Sequence, residues 1–318
     1  MAPSTSTDSE LPVVFVNPTA GIRRGRRLDL APLRHRLLGH ARLVVTGDVA
    51  SLERAVRDLG TAPPSRIVIC GGDGTVTQVM SALHRQLDQA ELPEVSLVAT
   101  GTVNTLARSI QTLHDPTRTL LRLIEPRRRT SVALQSLLVD IDDRPSRIAI
   151  SVGAGLVSRF FERYESSGAR GRSAAARLAL QVLLGSWTGT QQARRVLEPV
   201  PGRLVIDGRV AEASRWSLVI CSALRDPGLG FRITYRAGTR ADHLHLVASP
   251  QSARQLGLQA PRAYLGLPLR GSGVIDQLVR CWSLEFPDRG WIVVDGDLVR
   301  INNLKVSAGP IWRLISAS

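Results

Sequence analysis

Lysine is nearly absent from this sequence. The chain of 318 residues contains 41 lysines and arginines together, and Lys305 is the only lysine, so the other 40 are arginines. A Walker-A phosphate loop is therefore excluded, because it needs a lysine beside its glycines at the start of a helix, and Schiff-base chemistry is disfavoured. The 27 acidic residues leave a net charge of +14. Such an excess favours an acidic partner: nucleic acid, an anionic membrane or a phosphorylated ligand.

Cysteines and long apolar runs are also scarce. Cys70, Cys221 and Cys281 lie far apart and form no Cys-x-x-Cys or Cys/His cluster. Neither a zinc site nor a disulfide framework is predicted, and a reducing cytoplasm fits best. No run of roughly 18 apolar residues predicts a transmembrane helix. Residues 1–10 are Ser/Thr-rich and are expected to form a disordered tail, not a signal peptide.

Strand and helix patterns alternate in residues 11–130 and predict a doubly wound parallel sheet. The predicted strands are short apolar runs: Leu11–Val16, Ala41–Val45, Arg66–Cys70 and Val95–Ala99. A helix is predicted over Val76–Leu87. The arginine-rich segment 125–129 marks the expected end of this first domain.

Residues 131–318 mostly show short strands separated by turns, which predicts a second, β-rich antiparallel domain. Its last residues are free to return to the first domain. Two helical stretches interrupt it, near Leu156–Leu184 and Ser252–Leu258. The most apolar helical segment, residues 174–187, is interpreted as a core helix rather than one that lies on a membrane.

Three turn motifs follow predicted strands of the first domain, at the sheet edge where ligands bind in open α/β folds. They are Asn17-Pro18-Thr19-Ala20-Gly21, Gly71-Gly72-Asp73-Gly74-Thr75 and Gly101-Thr102-Val103-Asn104. Glycines let the backbone approach a phosphate closely, and amides at a helix start can bind an anion. Asp73 is a Mg²⁺ partner or a base in phosphoryl transfer, or else the segment is only a tight turn in which Asp73 caps the helix.

Together, in this order and spacing, the three loops resemble the nucleotide loops of the diacylglycerol kinase catalytic family. That family includes sphingosine, ceramide and bacterial lipid kinases, with NAD kinases as distant relatives. The resemblance implies an NAD-kinase-like sheet, a nucleotide cleft between the domains, and ATP as phosphoryl donor. It assigns the nucleotide site to Asn17, Pro18, Thr19, Ala20, Gly21, Thr46, Gly71, Gly72, Asp73, Gly74, Thr75, Val76, Thr77, Gly101, Thr102 and Asn104.

The same family places a late Asp-Gly-Glu at the proposed catalytic base, and Asp295-Gly296-Asp297 stands where that motif belongs. The terminal glutamate has become Asp297, which is one methylene shorter. Asp297 is the expected base, with Asp73 and Asp295 as the other catalytic candidates, whereas a simple hairpin turn is the alternative for Asp-Gly.

In bacterial relatives a second-domain Asp-Gly loop holds a structural Mg²⁺. Asp242, His243 and Leu244 occupy that place, with His243 replacing the glycine, and Asp242 and Leu244 are the candidate ligands. A solvated loop aspartate is favoured over a metal ligand here. His243 and His245 alternate along the predicted strand, and ordinary surface histidines are favoured over a metal pair.

The sequence thus indicates an ATP- and Mg²⁺-dependent lipid kinase that phosphorylates the hydroxyl of a diacylglycerol, sphingoid base or ceramide. The expected enzyme is cytoplasmic and associates transiently with anionic membrane surfaces. Arg108 and the group Arg23, Arg24, Arg26 and Arg27 are candidates to neutralise phosphates. The alternatives are a kinase of a soluble acceptor, as in NAD kinases, and a non-catalytic protein that binds nucleic acid or lipid. Nucleic acid is disfavoured, because the arginines are dispersed and aromatic residues make up only 4%.

Overall fold

The computed structural model describes residues 11–18, 30–59, 63–100, 104–110, 115–124, 130–168 and 172–315. The chain divides into two compact units. One contains the residues up to Leu134 together with those from Pro310 onward, and the other is Gln135–Gly309. An α/β first part followed by a strand-rich second part is the expected order, and it is confirmed.

The first unit is built on a parallel sheet. Its strands are β1 (Val13–Val16), β2 (Arg42–Val45), β3 (Arg66–Gly71), β4 (Glu94–Ala99) and the end of the C-terminal strand, Asp297–Ile315, which is β16 in chain order. The strand order is β2-β1-β3-β4-β16, and every neighbouring pair is parallel. Its helices are α1 (Leu30–Leu37), α2 (Val49–Arg57), α3 (Asp73–Gln86), α4 (Thr105–Ser109) and α5 (Pro116–Ile124), with a 3₁₀ turn at Gln89–Glu91.

The central strands of this sheet are buried almost along their whole length, since only the first residues of β3 and β4, Arg66 and Glu94, are partly exposed. All four residues of β1 are buried, and Val68 and Val98 on the neighbouring strands pack in one cluster with Leu120 and Leu123 of α5. Strands covered on both faces lack the polar and apolar alternation of a half-exposed strand. This is why short continuous runs of valine and isoleucine predicted the parallel sheet.

The second unit is built on antiparallel strands. They are β5 (Ser131–Ile141), β6 (Arg147–Ala149), β7 (Ser151–Gly155), β8 (Val200–Pro201), β9 (Arg203–Ile206), β10 (Arg209–Val210), β11 (Arg215–Trp216), β12 (Leu218–Ser222), β13 (Leu244–Ser249), β14 (Ile275–Val279), β15 (Cys281–Val294) and most of β16. The path β14-β13-β12-β7-β15-β16 forms the main sheet, and β8 and β11 form a separate pair. The helices are α6 (Leu156–Ser166), α7 (Arg172–Thr188), α8 (Gln191–Val196) and α9 (Ala253–Leu265).

Several predicted segments differ from the structure. The helical stretch expected over Leu156–Leu184 is two helices, because the chain turns at Gly168, whose φ of 66° suits glycine. Helix α9 extends seven residues beyond the predicted end at Leu258. Helix α3 begins at Asp73 rather than Val76, so the glycine-rich turn continues directly into the first helical turn.

The described part of the chain contains no helix that is both long enough and apolar enough to span a bilayer. All three cysteines are free thiols. Burial raises the pKa of the Cys70 thiol well above its ordinary value, and burial likewise raises the pKa of Cys221 to about 12. These two thiols are structural residues of the sheets, since thiolate reactivity requires the opposite shift.

Candidate functional site

Backbone hydrogen bonds join the carboxyl ends of four parallel strands in the first unit. The Asn17 amide donates to the Cys70 carbonyl at 3.1 Å, and the Thr46 amide to the Val16 carbonyl at 3.0 Å. The Thr100 amide, at the end of β4, donates to the Gly71 carbonyl at 3.1 Å. The structure therefore brings Asn17, Thr46, Gly71 and Thr100 to one edge of the sheet.

A side-chain contact also ties the first loop to the second. Asn17 Nδ2 donates to Thr75 Oγ1 at 3.0 Å, across 58 residues of sequence. Gly71 lies directly against Thr75, because a Cβ added at Gly71 would be 2.5 Å from the Thr75 Cβ. No residue other than glycine fits at position 71, because contacts under about 3 Å force a neighbour to move. Asn17, Gly71 and Thr75 thus form one fixed corner of the site.

The amino end of α3 faces the same edge as this corner, because the helix begins where β3 ends. Gly72 precedes it in an extended conformation, and no side chain caps the first turn. The amides of a first helical turn have no partner within the helix and carry the positive end of its dipole. With glycines beside it and fourteen residues behind it, this turn has the geometry of an anion site. The Thr77 hydroxyl is bound within the helix, since it donates to the carbonyls of Asp73 and Gly74 at 3.3 Å.

Asp73 is a link between the second and third loops. Its Oδ2 accepts from the Thr105 amide at 2.8 Å, and its Oδ1 from the Leu106 amide at 3.1 Å. These are first-turn amides of α4, so Asp73 caps a helix that follows 32 residues later. Asn104, the residue before α4, is buried and has a left-handed φ of 52°. Both Asp73 oxygens therefore accept from backbone amides, and this carboxylate fixes the start of α4 against the second loop.

Part of the predicted nucleotide site lies outside the described residues. This applies to Thr19, Ala20, Gly21, Gly101 and Thr102, and to the arginine group at residues 23–27. Pro18 follows β1, Val76 is buried in α3, and Arg108 is exposed on α4. The described members of the predicted site all belong to this edge of the first unit or to the two helices that start from it.

In the second unit, the Asp295-Gly296-Asp297 motif forms a tight hairpin. Val294 pairs with Asp297 in β15 and β16, which leaves Asp295 and Gly296 as a two-residue loop. Both have positive φ, 54° and 95°, as a type I′ turn requires. The hairpin turn that sequence reasoning kept as an alternative is therefore present, and Asp297 lies just after it.

Asp295 is bound to the backbone of a neighbouring strand. Its Oδ1 accepts from the amides of Ile150 at 2.8 Å and Ser151 at 2.9 Å, and its own amide donates to the Ser151 carbonyl at 3.0 Å. Asp297 differs in its side chain, which is exposed and makes no hydrogen bond or ion pair with any described residue. Of the two aspartates, Asp297 is the more exposed.

The contacts of Asp295 occur twice more in the second unit. Asp142 accepts from the amides of Asn302 and Asn303 and donates to the Asn303 carbonyl. Asp207 accepts from the amides of Arg280 and Cys281 and donates to the Cys281 carbonyl. All three aspartates have a left-handed φ between 46° and 54°. The same contacts thus stabilise three turns of the second unit, and Asp295 has this structural role in one of them.

The candidate metal residues of the second unit do not form a cluster. Asp242 is exposed, and its amide donates to Gln135 Oε1 at 3.0 Å, whereas Leu244 begins β13. The His243 ring donates to the Ala241 carbonyl at 2.9 Å. Among the described residues, no group of three or more His, Cys, Asp or Glu side chains is placed to hold a metal ion.

His245 was predicted to be a surface histidine, and this is wrong. The His245 side chain is fully buried. Its Nδ1 accepts a hydrogen bond from the Arg236 amide at 3.2 Å, so the proton of the ring lies on Nε2. Nε2 donates this proton to Asp276 Oδ1 at 2.9 Å. The Tyr235 hydroxyl and the Leu269 amide also donate to Asp276. Burial raises the pKa of Asp276, but these hydrogen bonds more than offset it, so its pKa lies below the ordinary value. Spacing could not reveal this network, because its members come from three separate segments.

The first unit is therefore an α/β domain whose sheet edge brings together Asn17, Thr46, Gly71 and the amino end of α3. Residues 12–135 match the family model of the diacylglycerol kinase catalytic domain. Over about a third of the chain, the sequence is 33% identical to a probable YegS-like lipid kinase of Xanthomonas campestris pv. campestris and 34% identical to diacylglycerol kinase theta of Mus musculus. The matched segments cover 32% and 10% of those two proteins, respectively.

Two solved chains from Bacillus anthracis str. Sterne share the fold over nearly the whole length. One is a diacylglycerol kinase crystal structure with a TM-score of 0.60 and 13% identity, covering 96% of this chain and 97% of that one. The second has a TM-score of 0.64 and 14% identity, covering 99% and 98%. The resemblance to the diacylglycerol kinase catalytic family, inferred from three loops, is confirmed.

Proposed function

We propose that this protein is an ATP-dependent lipid kinase, which transfers the γ-phosphoryl group of ATP to the hydroxyl of a lipid. The observation that carries this proposal is the hydrogen-bonded strand edge that unites Asn17, Thr46, Gly71 and Thr75 beside the start of α3. That edge lies in the segment that matches the diacylglycerol kinase catalytic domain. The names of the relatives support a lipid alcohol as the acceptor class.

The phosphates of ATP would lie at the amino end of α3, over Gly71 and Gly72. Backbone amides, the helix dipole and the nearby Arg108 would neutralise them without a Walker-A lysine. The part of Asp73 in this proposal is structural, because its side chain holds the start of α4 beside the second loop. It is a positioning residue, and its two backbone hydrogen bonds leave Asp297 as the better base.

Mg²⁺ fits this site as an ion carried largely by the nucleotide. Mg²⁺ is usually held by one or two carboxylates together with substrate phosphates, and the described residues contain no preformed ligand cluster. Asp73 is the carboxylate nearest the phosphate-binding turn, and each of its oxygens retains a lone pair beside its amide bond. When bound, the ion supplies charge neutralisation of the phosphates.

Asp297 would accept the proton of the lipid hydroxyl as the reaction proceeds. The hydroxyl oxygen forms a bond to the γ-phosphorus, the bond from that phosphorus to the bridging oxygen breaks, and ADP leaves with the electron pair. The Asp297 carboxylate is available for this task, because it is exposed and has no partner among the residues that the structure describes. Asp295 holds the hairpin on which Asp297 stands, through its bonds to Ile150 and Ser151.

The test is transfer of ³²P from labelled ATP to a panel of detergent-solubilised lipids: diacylglycerol, sphingosine, ceramide and phosphatidylglycerol, with NAD as a soluble acceptor. Labelled product in the organic phase supports the proposal and names the acceptor. Label recovered only in NADP would instead establish a kinase of a soluble acceptor. Absence of any labelled product would refute the kinase assignment.

Substitutions at Asp297 test its role as base. Asp297→Asn should lower turnover by about 10²–10⁴-fold, the usual contribution of a positioned base, without changing the midpoint of urea unfolding. Asp297→Glu should retain activity, since it keeps the carboxylate. Asp288→Asn, on the exposed part of the same hairpin, is the matched control and should behave as wild type. Wild-type turnover of Asp297→Asn would assign the proton transfer elsewhere.

A further inference from the structure

Helix α7 has two apolar faces. Leu178 and Val182 lie in the core of the second unit, as the sequence predicted for this segment. On the opposite side, Leu180, Leu184 and Trp187 are 55%, 48% and 46% exposed. Their spacing of four and three residues places them on one stripe of the helix. A helix that is apolar on both sides needs a second partner besides the protein core.

Helix α9 repeats this arrangement. Leu256 and Ala263 pack into the same core, while Leu258 and Leu265 are 60% and 64% exposed. Tyr264 on the last turn of the helix is also exposed, and Leu267 extends the exposed stretch past the end of the helix. Of the thirteen large hydrophobic side chains that are exposed in the described chain, seven belong to α7, α9 and the residues that follow α9.

The two helices pack against each other, so their exposed side chains form one surface. A Cβ at Gly257 of α9 would collide with the Ser186 hydroxyl of α7 and would lie 3.4 Å from the Trp187 ring. Trp187 is therefore next to the residue that precedes Leu258. We call this region the α7–α9 surface: Leu180, Leu184, Trp187, Leu258, Tyr264, Leu265 and Leu267.

The sequence around this surface is basic and contains no carboxylate. No Asp or Glu occurs between Glu165 and Glu198 or between Asp242 and Asp276. The same two segments contain eight arginines: Arg170, Arg172, Arg177, Arg194, Arg195, Arg254, Arg262 and Arg270. Arg177 and Arg254 are exposed on the two helices themselves. Leucines with tryptophan, tyrosine and arginine, without acidic residues, are the composition of helices that lie in the interface of an anionic bilayer.

We propose that the α7–α9 surface docks on a bilayer that contains anionic lipids and so places the enzyme where its lipid substrate lies. The benefit of docking rests on the proposed lipid kinase function, whereas the docking itself can be tested without kinase activity. A second copy of this chain is a poorer occupant, because two such surfaces would bring arginines together with no carboxylate to pair them. An acidic lipid surface satisfies both the exposed leucines and the arginines.

Vesicle sedimentation of the full chain, without ATP, tests the docking. Binding to phosphatidylcholine vesicles should rise strongly when phosphatidylglycerol is included and should fall with salt. Leu184→Glu and Leu265→Glu should each weaken binding roughly tenfold or more, because each places a charge where a leucine is buried in lipid. Val210→Glu, at a valine 55% exposed on β10, is the matched control and should bind as wild type.

Tryptophan quenching by brominated phospholipid gives a second readout with a conservative change. Quenching in anionic vesicles should be largely lost in Trp187→Phe and kept in Trp291→Phe, which removes the other exposed tryptophan. Equal vesicle binding by all variants, or unchanged quenching in Trp187→Phe, would overturn the docking surface. A wild-type dimer that Leu184→Glu converts to a monomer, with vesicle binding intact, would assign the surface to a second copy.

The proposed docking and the proposed kinase function can be refuted independently of each other. If docking is wrong and the function is right, the wild type phosphorylates lipid in detergent micelles while the surface variants bind vesicles normally. If the function is wrong, micelle activity is absent whatever the vesicles show. Variants of the α7–α9 surface should keep micelle activity and lose activity on vesicles.

Discussion

Asp142, Asp207 and Asp295 share one turn geometry, so the effect of removing the side chain can be compared at three positions. Alanine at position 295 leaves the amides of Ile150 and Ser151 without their acceptor, at about 1–2 kcal/mol each because they are partly buried. Alanine also lacks the polar side chain that favours a left-handed conformation, so holding it at a φ of 54° should lower the stability by about 1 kcal/mol more. Asp295→Ala should therefore destabilise the second unit by about 3–5 kcal/mol. Asp295→Asn, which keeps the Oδ1 acceptor and tolerates this φ, should cost only about 1 kcal/mol.

Urea unfolding followed by tryptophan fluorescence measures these changes. With a slope of about 2 kcal/mol per molar, Asp295→Ala should lower the midpoint by about 1.5–2.5 M. Asp142→Ala and Asp207→Ala should shift it in the same direction but by less, since water can reach their amides. A variant Asp295→Asn that is as stable as wild type yet has no kinase activity would refute the structural role assigned to Asp295.

Three further outcomes follow from burial and close contact. Gly71→Ala should lower the unfolding midpoint, whereas Gly74→Ala, whose Cβ would touch nothing, should not; thermal melts of both check this. Because the pKa of Asp276 is lowered in the folded state, its ionised form stabilises the fold above its unfolded pKa, and this contribution is lost as pH falls through the folded pKa. Asp276→Asn should thus cost about 1–3 kcal/mol at neutral pH, because an NH₂ group replaces one of the two oxygens that accept from His245, Tyr235 and Leu269, and the difference from wild type should shrink towards pH 3 in urea titrations. A thiol reagent at pH 8 should modify only Cys281 in the native protein, since burial raises the pKa of the other two thiols, and modification of all three before unfolding would contradict the described core.

The parallel strands of the first unit were predictable because their signal is local. Each is a short run of β-branched residues that ends in a turn motif, and the structure places β1, β3 and β4 within one or two residues of the predicted runs. The second unit was harder to predict. Strand β15 pairs with β7 and β9, where Ile292 lies opposite Ala154 and Trp282 opposite Ile206, so partners that are remote in sequence meet. The alternating burial of β15 depends on which strand lies opposite. A single sequence carries no record of those partners.

The candidate site shows the same limit at the level of single side chains. Loop composition placed Asn17, Gly71 and Thr75 at one sheet edge, because the ends of parallel strands must meet there. Composition could not tell that Asp73 caps α4 or that Asp295 binds Ile150 and Ser151, since both partners are remote in sequence. An Asp-Gly pair is a turn in either case, and the pairs at 207 and 295 look alike. The residue after the turn separates the two pairs: Arg209 continues an exposed edge strand, whereas the Asp297 carboxylate is exposed and has no partner among the described residues. In the motif of two aspartates around a glycine, the first carboxylate therefore holds the turn, and the second is the one to which we assign the proton transfer as a proposal.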